Sequence, residues 1–266
     1  MKNFSTLVQY LWAVSFLVQV LVCGILIFRG HFRTLPFFTT YIVLNLCQAM
    51  FLYAVYNHYG IKSDAAYILA WWSEAITLLA RACATVEILR LVLISYRGVW
   101  GLAWRLLAAS SFVVLICVVL ASRGNTGWAL MEADRGYHLI FATALIACLV
   151  LIRYYFIHVD PIYKTLLAGF CFYSGIKILI NTVLQGFLYQ QFVHFEPIWQ
   201  TVAVFSYLIL LVFWAPVLAR PLPAITEQRA VLPPSVYTRI SPEINYQMRA
   251  INKQLMNFWK IEEPRH

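Results

Sequence analysis

Ionisable side chains within apolar segments are the residues of this sequence best placed to do chemistry. Glu74 and Arg81 lie in one long apolar segment, and Lys177 lies near the middle of another. A charged group in hydrocarbon is costly, so such residues usually line a ligand or ion site or relay protons. Glu74 and Arg81 are seven residues apart and therefore share one helix face. Depth counted from the segment ends places Lys177 between them, so we predict that Glu74 pairs with Arg81, Lys177 or both.

Amide side chains extend this predicted polar pocket. Asn181 follows Lys177 by one helical turn, and Asn45 lies in the second apolar segment. Two interpretations are open. Paired charges and amides can simply join helices, since hydrogen bonds in membrane proteins contribute about 0.6 kcal/mol on average. Alternatively, the pocket holds an anionic or zwitterionic ligand or relays protons, because two central cations with few acids exceed what joining helices requires.

A second pair of charges lies further along the segment that holds Glu74. Glu87 and Arg90 are three residues apart, which makes them neighbours on a helix surface. We predict that they form an ion pair within the helix, on a face roughly opposite to that of Glu74.

Other kinds of site find little support. The sequence has no GxSxG or HExxH motif and no paired aspartates within an apolar segment, so no enzymatic activity or catalytic residue is predicted. The histidines lack metal-ligand spacing, and none is predicted at the mid-depth that a haem ligand requires. His58, His138 and His194 are expected on one side of the protein, and His31 and His158 on the other. The six cysteines form no CxxC pair and are interpreted as buried free thiols. We therefore expect no metal and no cofactor.

The elements that carry these residues are predicted to be transmembrane helices. The chain is 62% hydrophobic and 12% charged, whereas soluble domains carry about a quarter charged residues. About 20 apolar residues suffice to cross the hydrocarbon core. Seven segments meet this requirement, at about 7–28, 36–56, 66–96, 102–121, 137–158, 165–188 and 198–218, with a longer loop over 122–136. The predicted fold class is all-α: a polytopic membrane helix bundle of seven transmembrane helices.

The distribution of Lys and Arg predicts the orientation, because cytoplasmic loops carry an excess of these residues. One set of loops contains Arg29, Arg33, Arg97 and Lys164, whereas the opposite set contains only Lys2, Lys62, Arg123 and Arg135. The first set is therefore expected to be cytoplasmic, with the N-terminus outside and the C-terminus inside. This pattern assigns the net charge of +9 to the lipid bilayer and not to nucleic acid, since no single basic stripe is present.

The chain is divided into a transmembrane domain, 1–220, and a cytoplasmic tail, 221–266. Prolines at 221, 223, 233 and 234 predict an extended linker over 221–240. Ser241, Pro242 and Glu243 then form a helix-start pattern, which predicts an amphipathic helix over 242–260. Its apolar residues recur at heptad spacing beside two basic residues: Ile244, Met248, Ile251, Leu255 and Phe258, with Arg249 and Lys253. Three placements are open: on the inner leaflet, on a helix of a membrane-protein partner or second copy, or under the bundle.

Short sequence patterns also suggest a family. Pro36-Phe37-Phe38 with Tyr41, Trp72-Ser73-Glu74, Glu87-Ile88-Leu89-Arg90 and the run from Ile251 to Leu255 resemble a family of bacterial multi-span membrane proteins associated with acidobacterial genomes. The resemblance covers most of the chain. It implies a bacterial inner (plasma) membrane and implies nothing about activity.

Three functions compete at this stage. The first is a non-enzymatic ligand-binding or sensory module, with a pocket around Glu74, Arg81 and Lys177 that signals through the tail helix. The second is a transporter of a small anion or proton-coupled solute, against which the absence of a detectable internal repeat counts. The third is an accessory subunit of a larger membrane complex.

Overall fold

The computed structural model describes residues 6–60, 63–94, 96–121, 126–154, 157, 159–187, 192–220 and 242–258. Regular structure within these residues is entirely helical. The long helices are α1 (Thr6–Phe28), α2 (Pro36–Tyr59), α3 (Asp64–Val92), α4 (Arg97–Ala121), α5 (Thr126–Tyr154), α6 (Pro161–Phe187), α7 (Phe192–Leu218) and α8 (Pro242–Phe258). A short 3-10 helix, His31–Arg33, joins α1 to α2. The predicted linker over 221–240 lies outside the described residues.

Local sequence explains where several helices begin. Pro36 occupies the first turn of α2, where a missing backbone N–H costs nothing. The hydroxyl of Ser63 accepts a hydrogen bond from the N–H of Ala66 at 3.1 Å and so caps α3. The Asp160 carboxylate accepts one from the N–H of Ile162 at 2.9 Å at the start of α6. These caps keep polar backbone groups satisfied at the helix ends.

Six helices are long and apolar enough to cross a membrane: α1, α2, α4, α5, α6 and α7. The chain is therefore, over its described residues, an all-helical protein with six helices of membrane-span character. Helix α3 has 29 residues but is not among the six. It carries five charged residues, and charges within a membrane span are costly and are almost always paired. The seventh span and the orientation remain predictions.

The helices pack around a common centre from which α4 is excluded. Helix α1 lies between α2 and α7, α3 packs on α2, α5 and α6, and α6 also contacts α5 and α7. Helix α4 contacts α5 and α8. Only 6% of its span is buried, against 28–39% of the other five. Most of its apolar surface therefore faces outward.

Four aromatic side chains form a layer across the half of the bundle where α2 begins and α7 ends. This aromatic layer consists of Phe38, Tyr41, Phe170 and Trp214, all almost completely buried. The ring of Trp214 lies 4.8 Å from that of Phe170 and 5.2 Å from that of Phe38, measured between centroids. Tilted and edge-on contacts of this kind add to the free energy gained by burial. The layer closes this half of the bundle with apolar side chains.

Two sequence predictions are corrected at this level. The predicted loop over 122–136 is wrong for most of its length, because α5 begins at Thr126. Gly124, Asn125 and Gly127 indicated turns there, yet Gly127 lies in the first turn of α5, and a helix can retain buried charges when neighbouring helices supply partners. In addition, Cys47 and Cys117 are exposed on the helix surface, so they are not buried thiols, whereas Cys23 and Cys148 are buried.

Candidate functional site

The carboxylate of Glu74 lies at the centre of a polar cluster between α2, α3 and α6. Its Oε1 is 3.4 Å from Nζ of Lys177 and 3.8 Å from Nη2 of Arg81. Its Oε2 accepts a hydrogen bond of 3.1 Å from the amide of Gln48. The predicted pairing of Glu74 with both Arg81 and Lys177 is therefore what the structure contains. Gln48 adds an amide from α2 to these charges.

Arg81 continues the cluster toward α5. Its Nη1 lies 2.8 Å from Nε2 of His138, and Nδ1 of that imidazole lies 3.2 Å from the hydroxyl of Ser174 on α6. The guanidinium also lies over two aromatic rings, 5.1 Å from the centroid of Tyr173 and 5.7 Å from that of Tyr41. Cation–π contacts stabilise a desolvated guanidinium. Arg81 thus joins the aromatic layer to the polar cluster.

Asp134 is the second acid of the cluster. Its Oδ2 accepts a hydrogen bond of 2.9 Å from the amide of Asn181, and its Oδ1 lies 3.4 Å from Nε2 of His138. Asp134 and His138 are 5% and 1% exposed. The expectation that His138 emerges at the protein surface is therefore wrong, and its neighbour Asp134 is likewise not a loop residue. Both follow from the earlier start of α5, which places them one helical turn apart inside the bundle.

The buried charges balance once Asp134 is included. Glu74 and Asp134 supply two negative charges, and Arg81 and Lys177 supply two positive charges. The prediction that the two central cations exceed the nearby acids is therefore wrong, because Asp134 supplies the second acid. Sequence did carry a signal for the missing members: an aspartate and a histidine four residues apart, at the beginning of an apolar segment.

A partly open cavity of about 200 Å³ borders the cluster. Residues of α1, α2, α3, α6 and α7 line it: Trp12, Ser15, Phe16, Gln19, Asn45, Gln48, Ala49, Leu52, Glu74, Arg81, Tyr173, Lys177, Ala203, Val204 and Tyr207. On α2 and α6 the lining residues come after the residues of the aromatic layer in the chain, and on α7 they come before Trp214. On all three helices they therefore lie between the layer and the end of the bundle where α1 begins. The layer therefore separates the cavity from the opposite end of the bundle.

Polar atoms without a hydrogen-bond partner are located at this cavity. Within the described residues, the hydroxyl of Tyr207 and Nε of Arg81 are buried and form no hydrogen bond. Among the residues that the structure describes, Nζ of Lys177 donates a hydrogen bond to Glu74 alone. An ammonium group has three donors, so further donors of Lys177 remain for another acceptor. Unsatisfied buried polar groups are costly in apolar surroundings, and a ligand can relieve this cost.

The predicted pocket residues Asn45 and Asn181 have different positions. Asn45 lines the cavity, although its amide donates to the backbone carbonyl of Tyr41 at 3.0 Å, within its own helix. Asn181 lies behind the charges, on Asp134, and does not line the cavity. Its role is to hold the second acid.

The predicted ion pair between Glu87 and Arg90 is not formed. Both oxygens of Glu87 accept hydrogen bonds from the start of α2, at 3.2 Å from the N–H of Phe37 and 2.8 Å from that of Phe38. Free N–H groups and the positive end of the helix dipole make this a favourable place for a carboxylate. Arg90 is exposed. The acid thus joins α3 to α2, a contact that periodicity within one helix does not predict.

The tail helix α8 packs on the beginning of α4. The amide N–H of Gly98 donates to the side-chain oxygen of Asn252 at 2.8 Å, and Met256 is almost fully buried. Of the predicted apolar seam, Ile251 and Phe258 are exposed, and Leu255 is half-buried next to Gly98, where an added Cβ would lie 3.0 Å from the Cβ of Leu255. Among the described residues, the surface that contacts the bundle therefore includes Asn252 and Met256, which are outside the predicted seam, together with Leu255 of the seam. Side chains of the first turns, including Ile244, Met248 and Arg249, are outside the described set.

No group of three potential metal-ligating side chains occurs among the described residues. No protein family, curated protein or solved structure matches this chain.

Proposed function

We propose that this protein is a non-enzymatic ligand-binding or sensory module of the bacterial inner membrane, which binds a small polar ligand in the cavity beside Glu74 and Lys177. One observation carries this proposal: a charge-balanced, partly buried cluster borders a cavity lined by Arg81 and Tyr207, each of which has a buried polar atom with no hydrogen-bond partner within the described residues. Ligand sites in proteins combine such convergent polar groups with apolar and aromatic walls. Here the aromatic walls are supplied by Trp12, Phe16 and Tyr173.

The size and charge of the site suggest the class of ligand. Drug-sized ligands occupy pockets of about 300–1,000 Å³, and this cavity is smaller. A balanced cluster offers no net attraction to a simple anion or cation. Lys177 provides donors for a carboxylate, and Glu74 provides an acceptor for an ammonium group. A small zwitterion, such as an α-amino acid, satisfies both.

The proposed topology has seven spans, with α3 as the charged span and the N-terminus outside. Two contacts support helix directions that alternate along the chain: the ends of α1 and α7 lie together, so these two helices are parallel, and the end of α3 lies at the start of α2, so these two are antiparallel. Nε2 of His31, just after α1, lies 2.7 Å from the carbonyl oxygen of Leu218 at the end of α7. Glu87, near the end of α3, contacts the start of α2. In this orientation the aromatic layer lies on the cytoplasmic side and the cavity faces outward.

The tail helix is proposed as the route of output to a partner. Its exposed residues Ile251 and Phe258 lie beside the α4 contact, where they can enter the inner leaflet or meet a partner helix. Lys253 is also exposed, which suits an anionic membrane surface. Both placements are compatible with the packing of α8 on α4.

The ligand class can be tested with matched small probes. Purified protein in mild detergent is heated in the presence of glycine, L-alanine, L-leucine, acetate or methylammonium. We expect at least one amino acid to raise the melting temperature, while acetate and methylammonium do not, because only a zwitterion engages Lys177 and Glu74 together. Equal stabilisation by acetate, or no effect of any amino acid, would contradict the proposal.

Variants locate any effect in the cavity. Lys177→Met should abolish stabilisation by the amino acid, whereas Lys164→Met, in the first turn of the same helix, should not. Tyr207→Phe removes only an unpartnered hydroxyl, so it should weaken binding without loss of fold. Normal folded yield of Lys177→Met with lost binding supports a cavity, whereas collapse of the yield supports a purely structural cluster. Flux of the same amino acid into liposomes would instead indicate a transporter.

A further inference from the structure

We propose that Nε2 of His138 is a proton-binding site, and that its occupancy decides whether Arg81 donates a hydrogen bond to the histidine or to Glu74. Proton uptake at His138 thereby changes how strongly Glu74 holds the ammonium group of Lys177 at the cavity. This proposal concerns the regulation of the site described above, but the proton site itself does not require a ligand. The hydrogen-bond donors and acceptors around the imidazole of His138 support this proposal.

The contact with Arg81 assigns the tautomer of His138. Nη1 of Arg81 lies 2.8 Å from Nε2, and a guanidinium has donors and no acceptor. Nε2 must therefore accept, and the ring proton must be on Nδ1. From there it donates to the hydroxyl of Ser174 at 3.2 Å. His138 is thus held neutral, in the tautomer with the proton on Nδ1.

A second group faces the same nitrogen. Oδ1 of Asp134 lies 3.4 Å from Nε2, is buried, and has no hydrogen bond within the described part of the chain. A proton on Nε2 converts this nitrogen from an acceptor to a donor. It would then repel the donor of Arg81 and satisfy the free oxygen of Asp134. The imidazole therefore has two alternative partners, one for each protonation state.

The groups around His138 define what a proton would change. Arg81 faces it from α3, Asp134 from its own helix, and Tyr173, Ser174 and Lys177 lie on α6. Because the two acids and two bases balance, an added proton gives the cluster a net positive charge. That charge favours the approach of a carboxylate to the cavity.

Glu74 is the alternative hydrogen-bond acceptor for the guanidinium of Arg81. Nη2 of Arg81 lies 3.8 Å from Oε1 of Glu74, just beyond hydrogen-bond distance. The same oxygen is 3.4 Å from Nζ of Lys177. Closer pairing of Arg81 with Glu74 competes with Lys177 for this oxygen. Lys177 is then freer to bind a ligand carboxylate, so proton binding and ligand binding favour each other.

Nitrogen-15 NMR of labelled histidine and lysine in the purified, detergent-solubilised protein tests the proposal without a ligand. At high pH we expect His138, assigned by the loss of its signal in His138→Gln, to carry its proton on Nδ1. On acidification it should become doubly protonated, and the Nζ signal of Lys177 should shift with the same midpoint. In His138→Gln the Lys177 shift at that midpoint should be lost.

Two variants separate the partners of the imidazole. Asp134→Asn removes the acceptor for the added proton and should lower the protonation midpoint by about 1–3 pH units, the effect of losing a nearby opposite charge. Ser174→Ala removes a partner used in both states and should move the midpoint less. If Asp134→Asn does not fold, Asn181→Ala, which loosens Asp134, should shift the midpoint in the same direction.

Three results would overturn the inference. A proton on Nε2 at high pH would contradict the tautomer. An unchanged midpoint in the Asp134 and Asn181 variants would exclude the carboxylate as the second partner. A Lys177 signal that does not follow His138 would break the link to the cavity. Failure of amino acids to bind would leave all three results unaffected, so the ligand proposal and the proton proposal fail separately.

Discussion

The ion pair between Glu74 and Lys177 allows a quantitative test of charge balance in the cluster. Glu74→Gln preserves the size of the side chain and removes its charge, leaving two cations opposite one carboxylate. Lys177→Met removes the matching positive charge. In the folded protein the two charged atoms are 3.4 Å apart, and the side chains are 28% and 18% exposed.

The expected cost follows from this partial burial. Removal of one partner from a fully buried ion pair costs about 3–5 kcal/mol. Because both side chains keep access to the cavity, we expect each single variant to lower the free energy of unfolding by a smaller amount, about 2 kcal/mol. The double variant leaves Arg81 balanced by Asp134. It should therefore cost about 1–2 kcal/mol less than the sum of the single variants, within the range for side chains in contact.

A double-mutant cycle measures this difference. The free energy of unfolding of wild type, both single variants and the double variant is obtained by SDS titration in mild detergent. Lys164→Met, on the same helix but outside the cluster, serves as the control for loss of a lysine and should leave the free energy nearly unchanged. Additive single variants, to within about 0.5 kcal/mol, would refute the interaction. A Glu74→Gln protein more stable than wild type would refute the charge balance.

Three further variants test the packing of the helices. Gly169→Ala should lower the free energy of unfolding by about 1–3 kcal/mol, because the new Cβ would lie 2.3 Å from the indole nitrogen of Trp214 in the aromatic layer. Gly175→Ala is the control and should not destabilise the protein, because its Cβ would meet open space. Equal effects of the two variants in thermal melts would contradict this packing. Glu87→Gln should lower the free energy of unfolding by about 1 kcal/mol through loss of a charged cap on α2, whereas Arg90→Gln should change it by no more than about 0.5 kcal/mol. A larger effect of Arg90→Gln than of Glu87→Gln in SDS unfolding would instead support an ion pair between the two residues. Gly98→Ala should detach α8 from α4, because the new Cβ would lie 2.6 Å from a backbone oxygen of α8. Limited proteolysis should then cleave the tail faster than in wild type. An unchanged cleavage rate would contradict the contact between α4 and α8.

Much of the fold could be predicted from sequence because lipid imposes a simple rule on the chain. Backbone groups in hydrocarbon must bond within their own segment, so long apolar runs become helices whatever their neighbours are. All seven predicted segments coincide with long helices, and six of them have membrane-span character. The pairing of Glu74 with Arg81 and Lys177 was also predictable, since periodicity and depth in a helix are properties of sequence.

The remaining members of the site could be assigned only from tertiary structure. Asp134 and His138 looked like surface residues because hydropathy counts a charge as exposed unless its partner is known, and their partners belong to α3 and α6. Glu87 looked paired within its helix, but free N–H groups at the start of α2 offered a better site. Sequence by itself determined that the seven apolar segments are helices and which charges within them are costly. Only the packing of the helices decided which groups neutralise these charges, because that depends on distances between helices that are far apart in the chain.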